Sequence, residues 1–313
     1  TVRPVSDKHN VSHEELSYVV DSTASPIATL IPFNVWPIYV AGLVIGTNAI
    51  FETAQDGISF YFAALPFNFY AIFSILLTFL FAWEKLPWIP GARMRKAIFG
   101  PIGVLLVVAI IPFLYTFFIL DLGNKSILLI GEAFVLAVLV GIGIAVTKGM
   151  KLQDTIDGFI DGCKGVTIGA IILAFAVTLK EVADAVGTAA YVVEVVGSFI
   201  NPVILPGILM VFCMLIAFST GTSWGTYAVI FPVAIPLAWA IIPDPFYLTL
   251  CFSAVIGGSV FGDQCSPISD TTILSSLATG CDLMDHVKTQ FPLAILAGFL
   301  AIVMYSGLVL FYF

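Results

Sequence analysis

The chain has 313 residues, of which 60% are hydrophobic and only 10% charged, and its mean hydropathy is +1.07. A soluble domain carries about 25% charged residues, so this composition excludes one and defines an integral membrane protein. The net charge of −8 is no guide to partners, because most of the surface faces lipid, and nucleic acid is not expected as a partner.

Apolar stretches of about 20 residues predict an all-α polytopic protein rather than a β-barrel, whose strands would alternate every second residue. The opening TVRPVSDKHNVSHEEL has no initiator Met and no signal peptide. Residues 1–20 read as a polar cytoplasmic connection within a larger transporter. Spans are expected at about 26–48, 66–84, 101–120 and 126–147. Between 151 and 164, Leu152, Ile156, Phe159 and Ile160 recur at helical spacing, which predicts a short helix lying in the interface. An apolar stretch from 165 to about 197 is interrupted by LKEVADAVG. Then come 206–242, interrupted by STGTSWG, and 246–279, interrupted by GDQCSPISDTTILSS. The last span is 291–313.

Lys and Arg set the orientation, because they stay on the cytoplasmic side. Ten of the twelve basic residues fall on one side if 1–20, 85–100, 148–164 and the loop with Lys288 are cytoplasmic. That count requires 206–242 to enter and leave on the same face, as a re-entrant hairpin with STGTSWG at its tip. The C-terminus then lies outside the plasma membrane. The five cysteines (Cys163, Cys213, Cys251, Cys265 and Cys281) form no CxxC pair and read as small packing residues.

The interruptions carry the chemistry. In hydrocarbon an unpaired backbone group is costly, so broken helices survive only inside protein or beside a water-filled cavity. Carboxylates at that depth are functional candidates. Gly262 and Pro267 bracket a break, since Pro lacks a donor and disfavours helix before it. Asp263, Ser266, Ser269, Asp270, Thr271 and Thr272 offer hard oxygen ligands there, suited to a cation such as Na⁺ or Li⁺. Asp270 could instead serve only to cap the resumed helix. At the hairpin tip, Ser219, Thr220, Thr222 and Ser223 surround Gly221, either as further ligands or as hydroxyls bonded to their own backbone. Trp224 beside them is a cavity wall or an interfacial anchor. Asp21-Ser22-Thr23 echoes Asp270-Thr271-Thr272, and each lies near a Ser-Pro pair; matched breaks of this kind point to an inverted-repeat transporter. Asp21 and Thr23 are therefore candidates too, with an N-cap as the plainer reading of Asp21. Lys180, Glu181 and Asp184 form either a proton route or a fixed ion pair. His9 and His13 fall in the polar N-terminus and His286 in a loop. No GxSxG, HExxH or phosphate loop is present, so no enzyme is expected.

Three strings, DSTASPIATLIPFNVW, FSTGTSWGTYAVIFPVAIPLA and GDQCSPISDTTILSS, together resemble the NhaC family of sodium/proton antiporters, the last being the most specific. The resemblance covers most of the chain and implies the ion-transporter fold. That fold has two inverted repeats, each with a re-entrant hairpin and a broken helix, and a site between their tips. By resemblance, Ser219 to Trp224 is a hairpin tip, Gly262 to Thr272 the second broken helix and Asp21 to Ser25 part of the first. Residues 21–84 would end the first repeat, 85–100 would be a basic cytoplasmic loop, and 101–313 the second repeat. The rest of the first repeat is expected to precede Thr1, or to come from another chain or a second copy in a homo-oligomer.

The expected function is exchange of Na⁺ or Li⁺ for H⁺, with Asp263 and Asp270 binding cation and proton competitively. No cofactor is expected; Na⁺ is cargo. Two rivals stand beside it. One is an organic-acid exchanger of the malate/lactate type, disfavoured by the absence of Arg from the site strings. The other is a non-transporting half subunit.

Overall fold

The computed structural model describes residues 11–31, 34–83, 146, 149, 151–196 and 200–313. The expected loop 85–100, the span 101–120 and nearly all of 126–147 lie outside them. Among the described residues every regular element is helical.

The N-terminal part differs from expectation. Helix α1 (His13–Ser22) opens on a capping box: the Ser12 hydroxyl accepts from the Glu15 amide at 3.2 Å, and the Glu15 carboxylate accepts from the Ser12 amide at 3.0 Å. Its Leu16, Tyr18 and Val19 join Val11, Phe81, Ala82 and Leu293 in a small second core. Residues 11–20 are therefore a packed helical segment rather than a polar connection. After a break at Thr23–Ala24 the chain resumes as α2 (Ser25–Leu30), with Pro26 in the first turn. Helix α3 (Val35–Val44) is capped by Asn34, whose side chain accepts from the Trp36 amide at 2.8 Å. A second capping box, Thr53 with Asp56, starts α4 (Ala54–Ala64) where a loop was expected. A 3₁₀ turn (Leu65–Phe67) then leads into α5 (Phe69–Ala82).

Residues 151–197 also differ. Instead of an interfacial helix followed by a broken span, one helix, α6 (Leu152–Ala185), runs 34 residues. Lys180 and Glu181 are good helix formers and do not interrupt it. The chain stops near Gly187, at φ 71°, a left-handed value that favours glycine. Helix α7 (Thr188–Val196) follows.

The C-terminal part holds the functional elements. Helices α8 (Leu205–Thr220) and α9 (Ser223–Ile241) form a hairpin that turns at Gly221. Gly221 has φ 69°, and a Cβ there would lie 2.8 Å from the Ile268 carbonyl oxygen, so both conformation and space require glycine. Helix α10 (Pro245–Cys265) starts from Asp244, whose carboxylate accepts from the Phe246 and Tyr247 amides at 2.8 and 3.0 Å. It is apolar on every side and buried from Tyr247 to Cys265, as such a helix must be. Then come α11 (Asp270–Thr279) and α12 (Leu283–Tyr312).

Among the described residues, three helical stretches are long and apolar enough to cross a membrane: Ser223–Ile241, Pro245–Thr279 and Leu283–Tyr312. Two bent pairs, α1–α2 with α3 (56°) and α4 with α5 (42°), raise the number to five. Helix α10 is the axis of the bundle, packed by α8, α9, α5 and α12. The two broken segments pack on each other, α1 on α11 and α2 on α10.

Candidate cation site

The site is built where the hairpin turn meets the end of α10. Gly258 and Gly262 on α10 let α8 approach so closely that a Cβ on Gly262 would overlap the Ala217 backbone. This contact brings Asp263, 6% exposed, to the first turn of α9. The Ser223 amide donates to Asp263 Oδ1 at 2.9 Å, and the Ser223 hydroxyl donates to Oδ2. A helix N-terminus carries partial positive charge and unpaired amides, so it suits a buried carboxylate. A carboxylate has about four acceptor positions, so each oxygen retains room for a further partner.

The break itself is closed by its own hydroxyls. The carbonyls at the end of α10 have no helical partner. Thr271 and Thr272 hydroxyls donate to the Asp263 carbonyl at 2.7 and 3.1 Å, and Thr272 also reaches the Gln264 carbonyl at 3.3 Å. The Ser266 hydroxyl donates to the Phe218 carbonyl at 2.7 Å, tying the break to α8. Ser269 and Thr271 hydroxyls pair at 3.0 Å. Asp270, the first residue of α11, is exposed, and its side chain accepts from the Thr271 amide at 2.8 Å.

Not every expected ligand converges. Ser219 and Thr220 are exposed, and their hydroxyls bond back to the carbonyls of Leu215 and Ile216 at 2.7 and 2.8 Å, the local pattern typical of helical Ser and Thr. Thr222 contributes its carbonyl to the Thr226 hydroxyl at 2.9 Å. The Thr23 hydroxyl returns to the Val19 carbonyl at 2.6 Å. Glu181 is exposed on α6, while the side chains of Lys180 and Asp184 lie outside those described. Trp224 packs on Trp36 and Tyr39 with ring centroids 4.6 and 4.5 Å apart, and the Tyr39 hydroxyl donates to its carbonyl at 2.7 Å. It thus pins the hairpin turn to α3.

Asp21 is fully buried, not a cap at an edge. Its Oδ2 lies 3.1 Å from His286 Nε2 and accepts from Gln290 Nε2 at 3.1 Å. His286, expected in a loop, sits in the first turn of α12 and is fully buried. Sequence reasoning also missed Gln264, whose Oε1 accepts from the Tyr70 and Ser74 hydroxyls at 2.7 and 3.0 Å. The helical register of His286 and Gln290, four apart, was the available signal. Among the described residues no group of three or more His, Cys, Asp or Glu could hold a metal ion. The three buried cysteines, Cys213, Cys251 and Cys265, are free thiols in the packing.

An all-helical membrane protein whose helices break around buried carboxylates has the architecture of helical transporters. The Na⁺/H⁺ antiporter family model matches residues 27–308, and the chain belongs to that family. It is 32% identical to an uncharacterised protein of Haemophilus influenzae, over 93% of this chain and 63% of that one. It is 32% identical to the malate-2H⁺/Na⁺-lactate antiporter of Bacillus subtilis, over 34% of this chain and 22% of the relative. It is 33% identical to the Na⁺/H⁺ antiporter NhaC of Alkalihalophilus pseudofirmus, over 29% and 19%. The chain thus spans less than two thirds of the length of these relatives, and the two with a functional name are antiporters, not enzymes. No solved structure matches it.

Proposed function

We propose that the chain carries the cation site of an NhaC-type antiporter that exchanges Na⁺ or Li⁺ for H⁺. The observation that supports this most is Asp263: a nearly buried carboxylate where a helical hairpin turn meets a helix break, with Ser223 holding one side of each oxygen. Protonation removes the charge that attracts Na⁺, so one carboxylate serves cation and proton in turn and couples their movement. Of the two aspartates expected to hold Na⁺, Asp263 is the better supported, because Asp270 is exposed and engaged with the amide of the next residue. Ser266, Ser269, Thr271 and Thr272 act chiefly by closing the break around that carboxylate. The mutual packing of the two broken segments, α1 on α11 and α2 on α10, supports an inverted-repeat arrangement. The clustering of Lys and Arg at 85–100 and 148–164 supports a cytoplasmic position for those segments.

A second reading, a Na⁺- or H⁺-coupled exchanger of organic acids, draws support from the Bacillus subtilis relative. The chain carries no arginine between 205 and 290 to pair a carboxylate cargo, so cation exchange is preferred. The test uses the complete protein in proteoliposomes with an imposed pH gradient. Na⁺ and Li⁺ should dissipate it, while malate and lactate in Na⁺-free buffer should not. Dissipation that requires an organic acid would favour the second reading.

A further inference from the structure

A second cluster, on the α1–α12 side of the break, is left unsatisfied by the protein. Five buried side-chain atoms have no hydrogen-bond partner among the described residues: Ser17 Oγ, Asp21 Oδ1, Gln264 Nε2, His286 Nδ1 and Gln290 Oε1. All five residues are fully buried. Four of the five residues are joined by hydrogen bonds, and Ser17 shares the Asp21 face of α1. Asp21 Oδ2 joins His286 and Gln290, and Gln290 Nε2 also donates to the Gln264 carbonyl. Ser17 lies one turn before Asp21 on α1, and His286 one turn before Gln290 on α12. Unsatisfied buried polar atoms are uncommon in folded proteins, and five of them, four on joined residues, point to an absent occupant.

The chemistry of the open atoms selects that occupant. The Gln290 amide is fixed in orientation, since its nitrogen serves two groups that only accept, the Asp21 carboxylate and the Gln264 carbonyl. Its Oε1 is therefore an open acceptor, as is Asp21 Oδ1. Ser17 Oγ adds a third oxygen. An anion is repelled by Asp21. A transition metal would find a single imidazole nitrogen, His286 Nδ1, and no sulfur among the open atoms, and a divalent ion would leave excess charge beside a single buried carboxylate. Three oxygens with one negative charge suit a monovalent hard cation.

We propose that Asp21 Oδ1, Gln290 Oε1 and Ser17 Oγ form a second Na⁺ site, with His286 as the positioning residue that turns the Asp21 carboxylate toward it. The remaining open atoms, His286 Nδ1 and Gln264 Nε2, serve a water that the ion retains. The site is separate from the one at Asp263, whose oxygens are held by Ser223 on α9. It stands whether or not Asp263 carries Na⁺.

Equilibrium binding of radioactive Na⁺ to the complete purified protein tests this. Wild type should bind two ions per chain, Asp21→Asn one, and Asp263→Asn one. Ser17→Ala removes an oxygen that no protein group uses and should leave the fold intact while weakening one of the two ions about tenfold. Wild type and Asp21→Asn binding equal numbers of ions, with Ser17→Ala unchanged in affinity, would overturn the second site and assign the cluster to water. One ion in wild type, lost in Asp21→Asn but kept in Asp263→Asn, would uphold this site and count against the Asp263 reading instead.

Discussion

Gly262→Ala probes the helix crossing on which the Asp263 site rests. A Cβ at this position would overlap the carbonyl group and Cβ of Ala217. Ordinary carbon contacts are about 3.5–4.0 Å, and a backbone neighbour cannot rotate aside, so α8 and α10 must separate. Gly258, one turn earlier, is equally tight, since a Cβ there would overlap the Met210 carbonyl oxygen and lie 2.8 Å from Cys213 Cβ, so the strain cannot be shed by a small tilt. Overpacking a tight core costs about 1–3 kcal/mol, and a backbone clash belongs at about 3. Alanine recovers about 1 kcal/mol as the better helix former, which leaves a loss of about 2 kcal/mol. At about 2–4 °C per kcal/mol, the melting temperature of the purified protein in detergent should fall by about 4–8 °C. Gly307→Ala is the control. It lies exposed on α12, a Cβ there meets nothing within 4 Å, and its melting temperature should stay or rise. If both variants melted together, the close approach of α8 and α10 would be refuted.

Ser223→Ala removes the hydroxyl that holds Asp263 Oδ2 and should cost about 1.5–3 kcal/mol, the range for a hydrogen bond to a charged group; thermal unfolding reads this, and exchange activity should fall with it. Asp270→Asn keeps the oxygen that accepts from the Thr271 amide, so it should shift stability by less than about 0.5 kcal/mol and retain exchange, and a variant with no exchange would restore Asp270 as a carrier. Cys281, between α11 and α12, has its thiol pushed up to about 11 by burial, reinforced by Glu14, Asp285 and Asp282. Its thiolate, the reactive form, gains about tenfold per pH unit below that value. In a Cys163→Ser background, maleimide labelling of Cys281 should therefore keep accelerating from pH 8 to pH 10, and a plateau near pH 8.5 would contradict the assignment.

The interruptions were legible in the sequence because they rest on local chemistry. Pro267 stands in the gap between α10 and α11, and Gly221 at the turn between α8 and α9. The partners across the fold were not legible. Asp263 faces Ser223 forty positions away, and Asp21 faces His286 at a separation of 265; no periodicity encodes such distances. His286 read as a loop residue because Asp282, Asp285 and Lys288 surround it, yet those charges lie on the exposed side of one helix. Helices α1 and α4 were passed over because their acids suggested loops. Both begin with a box of the S/T-x-x-D/E kind, Ser12 with Glu15 and Thr53 with Asp56, a signal that marks a helix start. Conversely, Thr271 and Thr272 were read as ligands because their hydroxyls are concentrated in the break. The end of α10 consumes those hydroxyls to satisfy its own carbonyls.

The central claim is that Asp263 binds Na⁺ and H⁺ in turn. Its most direct test is Na⁺ uptake into proteoliposomes driven by an outward proton gradient, comparing the complete wild-type protein with Asp263→Asn. Saturable uptake is expected in wild type and none above empty vesicles in the variant, with Asp263→Glu retaining part. Proton-driven Na⁺ uptake at the wild-type rate in Asp263→Asn, from protein that folds and inserts normally, would contradict it.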